Sequence, residues 1–226
     1  MKVILFGASG MVGQGVLREC ELDPQVTEVL SVVRAATGQQ HAKLREIVHK
    51  DFFDFSALEP ELSGFDACFF CLGVSSAGMS EDKYRRITFD ITLAAAQTLA
   101  KHNPQMTFIY VSGTGTESSE RGRVMWARVK GQTENALLRL PFKAAYMFRP
   151  GVIVPLHGIK SRTALYRIPY LIMGPFLPLL KRLFPKYIIT TESLGRGMLI
   201  AANRGAPKTV LESRDINRLV EPQPDA

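Results

Sequence analysis

A chain of 226 residues, 46% apolar and 22% charged, can bury one full core and is too apolar to stay disordered. The net charge of +7, from 28 basic and 21 acidic residues, favours anionic ligands. Like charges form no long run and aromatics do not interleave with a basic stripe, so no nucleic-acid partner is expected. Three cysteines argue against a disulfide framework and for a reducing compartment, with the cytoplasm as the default.

In chain order, "KVILFG" reads as a first strand and Met11 to Leu22 as a helix. "EVLSVVR" and the short "EIVHKD" follow as strands, then "DACFFCLG" as a buried one. Cys68 and Cys71 lie three apart on that strand and so point to opposite faces, a poor geometry for chelating one ion. A long helix from about Glu81 to His102 precedes the strand "MTFIYVSG". A helix from about Arg123 to Leu140 precedes the strand "AAYMFRPG". Apolar strands alternating with helices imply a doubly wound, Rossmann-type α/β fold: a parallel sheet with helices on both faces, in a single domain over 1–226.

After Gly151 the texture changes. Residues 155–186 mix Pro, Leu and Ile with aromatics and with Arg162, Arg167, Lys181, Arg182 and Lys186, and read as a small cap over the substrate cleft. A peripheral membrane contact is the weaker reading of the same stretch, because its prolines break any long amphipathic helix. The apolar run from Ile168 to Leu180 falls short of the roughly 20 residues that a transmembrane span needs. "MKVILFGASG" makes a poor signal peptide, since glycines interrupt its apolar run. A last helix is expected from a Thr191 N-cap to about Gly205, and the tail "EPQPDA" is expected to be disordered.

The strongest signal is Gly7-x2-Gly10-x2-Gly13, placed directly after the first strand and opening the first helix. Gly7 supplies the positive φ of a tight turn, Gly10 leaves room for a pyrophosphate, and Gly13 lets the helix pack closely. Ser9, Met11 and Val12 complete this loop, whose helix N-terminus offers free N–H groups to phosphates. At the end of the second strand, where an NAD-selective site carries Asp or Glu, "SVVRAATG" places Arg34. A guanidinium suits a ribose 2′-phosphate, so NADP(H) is expected in preference to NAD(H).

These residues resemble the short-chain dehydrogenase/reductase superfamily. Within it they look like the atypical branch of Tat-interacting-protein-like and epimerase-like NADP-binding proteins. "GASGMVG", "SVVR", "DACFFCLGVSS", "IYVSGTGT", "WARVKGQTE", "FRPG" and "ESLGRGML" occur in that family's order. The resemblance implies that Asp51 and Phe52 contact adenine and that Cys71, Leu72 and Gly73 lie against the cofactor ribose. It places Pro150 and Gly151 beside the nicotinamide. It also implies a catalytic hydroxyl at Thr114, with Ser112 as the neighbouring option, and a cofactor-binding, catalytic lysine at Lys130.

Trp126 stands where the superfamily has its proton-donating tyrosine. Its indole N–H is a donor that does not ionise near neutral pH, so it cannot serve as a general acid or base. Tyr84, Tyr110, Tyr166 and Tyr170 are weaker substitutes, more often packing residues than catalysts. Lys130 and Glu134 also have a plain reading as an i,i+4 pair on an exposed helix face. The four histidines are scattered, only His157 falls near the expected cleft, and no metal spacing occurs. The expected function is an NADP(H)-dependent oxidoreductase or epimerase-like enzyme with a non-standard proton donor, acting on a small molecule. The alternative is an inactive NADP(H)-sensing or scaffold protein that binds a protein partner.

Overall fold

The computed structural model describes residues 1–159 and 187–221. Its strands in chain order are Lys2–Phe6 (β1), Glu28–Val33 (β2), Leu44–Val48 (β3), Ala67–Phe70 (β4), Thr107–Val111 (β5), Ala144–Arg149 (β6), Val152–Val154 (β7), Ile188–Thr190 (β8) and Val210–Glu212 (β9). The helices are Met11–Leu22 (α1), Glu81–Arg85 (α2), Ile91–His102 (α3), Met125–Leu138 (α4), Thr191–Arg204 (α5) and Ser213–Val220 (α6).

Seven strands form one sheet in the order β3-β2-β1-β4-β5-β6-β9, and every neighbouring pair is parallel. β7 and β8 form a separate parallel pair. Alternation along the strands fills two cores. Val3 and Leu5 meet Val16 and Cys20 of α1, Leu194 and Met198 of α5 and Ile216 of α6. Ile4 and Phe6 meet Phe52, Phe55 and Leu99 on the other face. The doubly wound Rossmann-type sheet expected from the sequence is the observed fold.

The strand order reverses between β1 and β4, and a sheet of this kind opens its ligand crevice at the carboxyl ends of those two strands. Gly7 follows β1 there and Cys71 follows β4. Cys68 packs in the Phe6 core and Cys71 against the opposite one, on the two faces that their spacing requires.

Several local details differ from the sequence reading. The long helix between β4 and β5 carries a π-helical turn at Arg86–Asp90, just where the Thr92 hydroxyl donates to the Thr88 carbonyl at 2.5 Å and competes for the ladder. α5 is capped by Thr190, whose hydroxyl accepts the Ser193 N–H at 2.9 Å. Thr191 instead accepts the Leu156 N–H at 3.1 Å, one residue into the helix. β7, β8, β9 and α6 were not expected. The cap stretch lies outside the described residues from 160 to 186, with Tyr166, Tyr170 and its basic residues, and so do residues 222–226 of the tail.

Candidate functional site

The glycine turn forms as its spacing requires. Gly7 has φ 88°, and a Cβ on it would stand 2.8 Å from the Cys71 backbone. A Cβ on Gly13 would meet the Gly7 carbonyl at 2.0 Å, so the first turn of α1 closes onto the loop only without one. Gly10 differs. Its φ is −86° and a Cβ there would meet only the Gly7 carbonyl at 3.4 Å, an ordinary contact. The fold does not need glycine at this position, whereas a ligand lying on the helix end does.

Gly10 is the N-cap of α1 and makes no side-chain cap, and the first turn holds no acidic residue. The N–H groups of Met11, Val12 and Gly13 therefore lack intrahelical acceptors and point their partial positive charge outward. This cradle fits the phosphates of a dinucleotide. Gly10→Ala is expected to keep the parent unfolding midpoint in urea and to weaken nucleotide binding at least about tenfold, through the excluded approach of the phosphate. A Gly10→Ala protein that binds as tightly as the parent would remove Gly10 from the site.

Gly7, Ser9, Arg34, Phe52 and Leu72 line one cleft of about 490 Å³ beside this turn. Arg34 is exposed and is the charged residue of that lining; no carboxylate belongs to it. Glu46 holds the following loop by accepting the Thr37 N–H at 2.9 Å and the Thr37 hydroxyl at 2.7 Å. Phe52 is buried edge-on against Phe6 and Phe55 and floors the cleft. Asp51 does not line it: its carboxylate accepts the Phe53 N–H at 2.9 Å. Cys71 donates its N–H to the Phe6 carbonyl at 2.9 Å, and Gly73 is open to solvent.

The wall formed by β5, α4 and β6 holds the remaining residues. Lys130 is half-buried and its ammonium donates to the Ser112 carbonyl oxygen. The Ser112 hydroxyl is buried and turned away, donating to Glu134 Oε1 at 2.5 Å. Glu134 is only 1% exposed, and Arg149 forks onto it with Nε at 3.0 and 3.2 Å and a further bond from Nη2. The exposed i,i+4 pairing of Lys130 with Glu134 is thus corrected, because β6 supplies Glu134's cation. The Thr114 hydroxyl has the Arg149 carbonyl at 3.0 Å and Glu212 Oε2 at 3.1 Å as acceptors.

Trp126 lies half-buried with its ring edge 3.4 Å from where a Gly115 Cβ would stand, and Gly115 has φ 89°. The loop between β5 and α4 is gathered by Glu117, whose carboxylate accepts the N–H groups of Ser119, Arg121 and Gly122 at 2.8–3.0 Å. Bonding to Ser119 above all, and to the other two N–H groups, holds that carboxyl down to about 2. Pro150 accepts the Thr114 N–H at 3.0 Å through its carbonyl, and the Gly151 N–H donates to Ser213 at 2.8 Å.

Burial pushes Lys130 down to about 8, opposed by the pull of Glu134. Tyr84 and Tyr110 are 2% and 1% exposed, and burial raises both phenols above their ordinary range. Both are therefore packing residues of the interior. His157 takes a left-handed backbone conformation and pairs with Glu192 at 2.8 Å. Arg149 and Glu212 escaped the sequence reading; the arginine of "FRPG" was visible, but nothing marked it as Glu134's partner.

The model of the NAD-dependent epimerase/dehydratase family matches residues 3–123. The chain belongs to this family. Among curated relatives of this family member, the protein FMP52, mitochondrial, of Saccharomyces cerevisiae is 29% identical over 165 residues, covering 72% of this chain and 69% of that one. The protein HTATIP2 of Rattus norvegicus is 28% identical over 155 residues, 67% of this chain and 62% of that one. The Tat-interacting-protein-like branch suspected from the motifs is therefore the right one. Among solved structures, the Bordetella bronchiseptica enzyme WbmF in complex with NAD+ superposes with a TM-score of 0.65 at 15% identity, over 96% of this chain and 76% of that chain. The fungal relatives are named as mitochondrial, which overturns the expectation of a cytoplasmic protein. Few cysteines and a positive charge suit more than one reducing compartment, so composition could not decide between them.

The family member is an NAD(P)-binding, short-chain dehydrogenase/reductase-like protein. Among the described residues, no helix is long and apolar enough to cross a membrane.

Proposed function

We propose that this protein binds NADP(H) in preference to NAD(H) and works as an oxidoreductase or epimerase-like enzyme on a small molecule, with a proton donor other than tyrosine. The observation that carries the cofactor choice is the cleft beside the glycine turn, where Arg34 stands and no carboxylate does. Gly7, Ser9, Gly10, Met11, Val12 and Gly13 would hold the pyrophosphate, Arg34 the 2′-phosphate and Phe52 with Leu72 the adenosine. Lys130 would hold the nicotinamide ribose, near Pro150 and Gly151. When bound, the cofactor supplies the hydride; the chain's part is to orient it and to manage the proton.

Titration with NADPH and NADH, read through quenching of Trp126, the chain's single tryptophan, tests this reading. NADPH should bind more tightly by about tenfold or more, the effect of one hydrogen bond to a charged group, and Arg34→Ala should erase the difference. Equal affinities, or a preference that survives Arg34→Ala, would refute it.

A second reading, an NADP(H)-sensing scaffold without turnover, is favoured by one observation: the tyrosine position holds Trp126, whose indole does not ionise near neutral pH. Hydride consumption by the parent protein on any carbonyl substrate would exclude it.

A further inference from the structure

We propose that Lys130 is itself the proton donor of this site, taking over the task of the absent tyrosine, because its ammonium is bonded to the Ser112 carbonyl just past the end of β5 while Arg149 and Ser112 hold the neighbouring carboxylate. This inference rests on the reading of the crevice as an NADP(H) site. The geometry has two parts. Glu134, one helical turn beyond Lys130, would ordinarily keep that ammonium charged, but the Arg149 guanidinium and the Ser112 hydroxyl occupy both its oxygens. Lys130 is left bonded to a neutral carbonyl, with no carboxylate within ion-pair distance among the described residues. Its Nζ lies 3.9 Å from where a Gly113 Cβ would stand, at the foot of the loop that carries Thr114 and Trp126.

The other candidates fail one by one. Indole does not ionise. Tyr84 and Tyr110 are sealed in the core. The Ser112 hydroxyl points at Glu134, and the Thr114 hydroxyl is committed to the Arg149 carbonyl or to Glu212. The charged group that acts on Lys130 is Glu134 on the same helix, α4, which Arg149 of β6 holds in turn. Burial outweighs the opposing pull of Glu134 and brings the ammonium down to about 8, close to the pH at which it would work.

In the forward direction Lys130 gives one N–H proton to a substrate carbonyl oxygen while the carbonyl carbon receives the hydride that reduced nicotinamide supplies. The products are the alcohol, the oxidised nicotinamide and a neutral Lys130 amine, which takes a proton back from water. One ammonium hydrogen stays on the Ser112 carbonyl throughout and fixes the direction of the others.

Competitive labelling of the intact protein with trace acetic anhydride, quantified peptide by peptide, gives the Lys130 titration without any cofactor. A midpoint near 8 is expected, against the ordinary lysine value of about 10.4. A midpoint at about 10 or above overturns the proposal whatever the turnover. In a second arm, NADPH oxidation is followed with a panel of aldehydes and ketones. Lys130→Arg keeps the charge and the ribose contact but holds its proton, so it should lose about 100-fold or more in kcat. An unchanged kcat overturns the proposal. A parent protein that binds NADPH but reduces no carbonyl overturns the donor role and leaves the cofactor reading standing. A protein that fails to bind NADPH while Lys130 titrates near 8 sinks the cofactor reading and overturns the donor role with it, since no hydride would then reach the carbonyl.

Discussion

Glu134→Leu is expected to lower the unfolding free energy by about 3–5 kcal/mol, the usual penalty for stranding one charge of a buried pair. Glu134 is 1% exposed, and the Arg149 side chain that forks onto it is 11% exposed, so water can replace little of what is lost. Glu212, at 3.8 Å, and the Ser118 hydroxyl, at 2.6 Å, are the partners Arg149 keeps, and neither neutralises it as the fork does. The double variant Glu134→Leu with Arg149→Met should recover most of the loss, because a buried pair exchanged for apolar groups of similar volume is often neutral in stability. Urea unfolding of the four proteins forms a double-mutant cycle, and a coupling of at least about 1.5 kcal/mol is expected between the two sites. A single variant within about 0.5 kcal/mol of the parent would mean that the pair is solvated.

The same pair shows where sequence reasoning stops. The glycine turn was legible because each glycine answers a local demand of a strand that runs into a helix, and strand and helix both announce themselves by period. The plain i,i+4 alternative for Glu134 fails because its spacing from Lys130 is local while its true cation, Arg149, comes from the next strand; sequence separation carries no sign of that. β9 and α6 escaped because a strand of three residues, Val210–Glu212, is too short to show alternation. Glu212 escaped with them, although it caps α6 through the reciprocal bonds with Asp215 and also faces Thr114. The N-cap of α5 slipped by one residue because Thr190 and Thr191 are both good caps, and only the bond from the Leu156 N–H takes Thr191 out of competition. Compartment was not legible at all, since it depends on an address and not on the packing of a core.

Lys130→Met should make the protein more stable at neutral pH, a gain that coincides with lost function. Its pKa falls from 10.5 to about 8 on folding, so below that value the native state carries a poorly solvated charge that the unfolded chain hydrates freely. Between about pH 8 and about pH 10.4 the unfolded state binds more protons than the native one, so the parent gains stability as pH rises through that window. Below the window the penalty is present in full; above it both states hold a neutral amine and the penalty is gone. A shift of this size corresponds to on the order of 3 kcal/mol, which partial exposure of the side chain and the lost bond to the Ser112 carbonyl reduce to about 1–2 kcal/mol of net gain for the variant. Methionine matches the length of the lysine stem and fills the same channel without an N–H. Chemical unfolding from about pH 6 to about pH 11 should therefore show parent and variant converging as the ammonium is neutralised. A variant that is less stable than the parent at neutral pH, with parallel curves, would mean that Lys130 is well solvated and charged in the folded protein. The stability cost of this half-buried ammonium is one that a plain apolar residue at the same position would not carry.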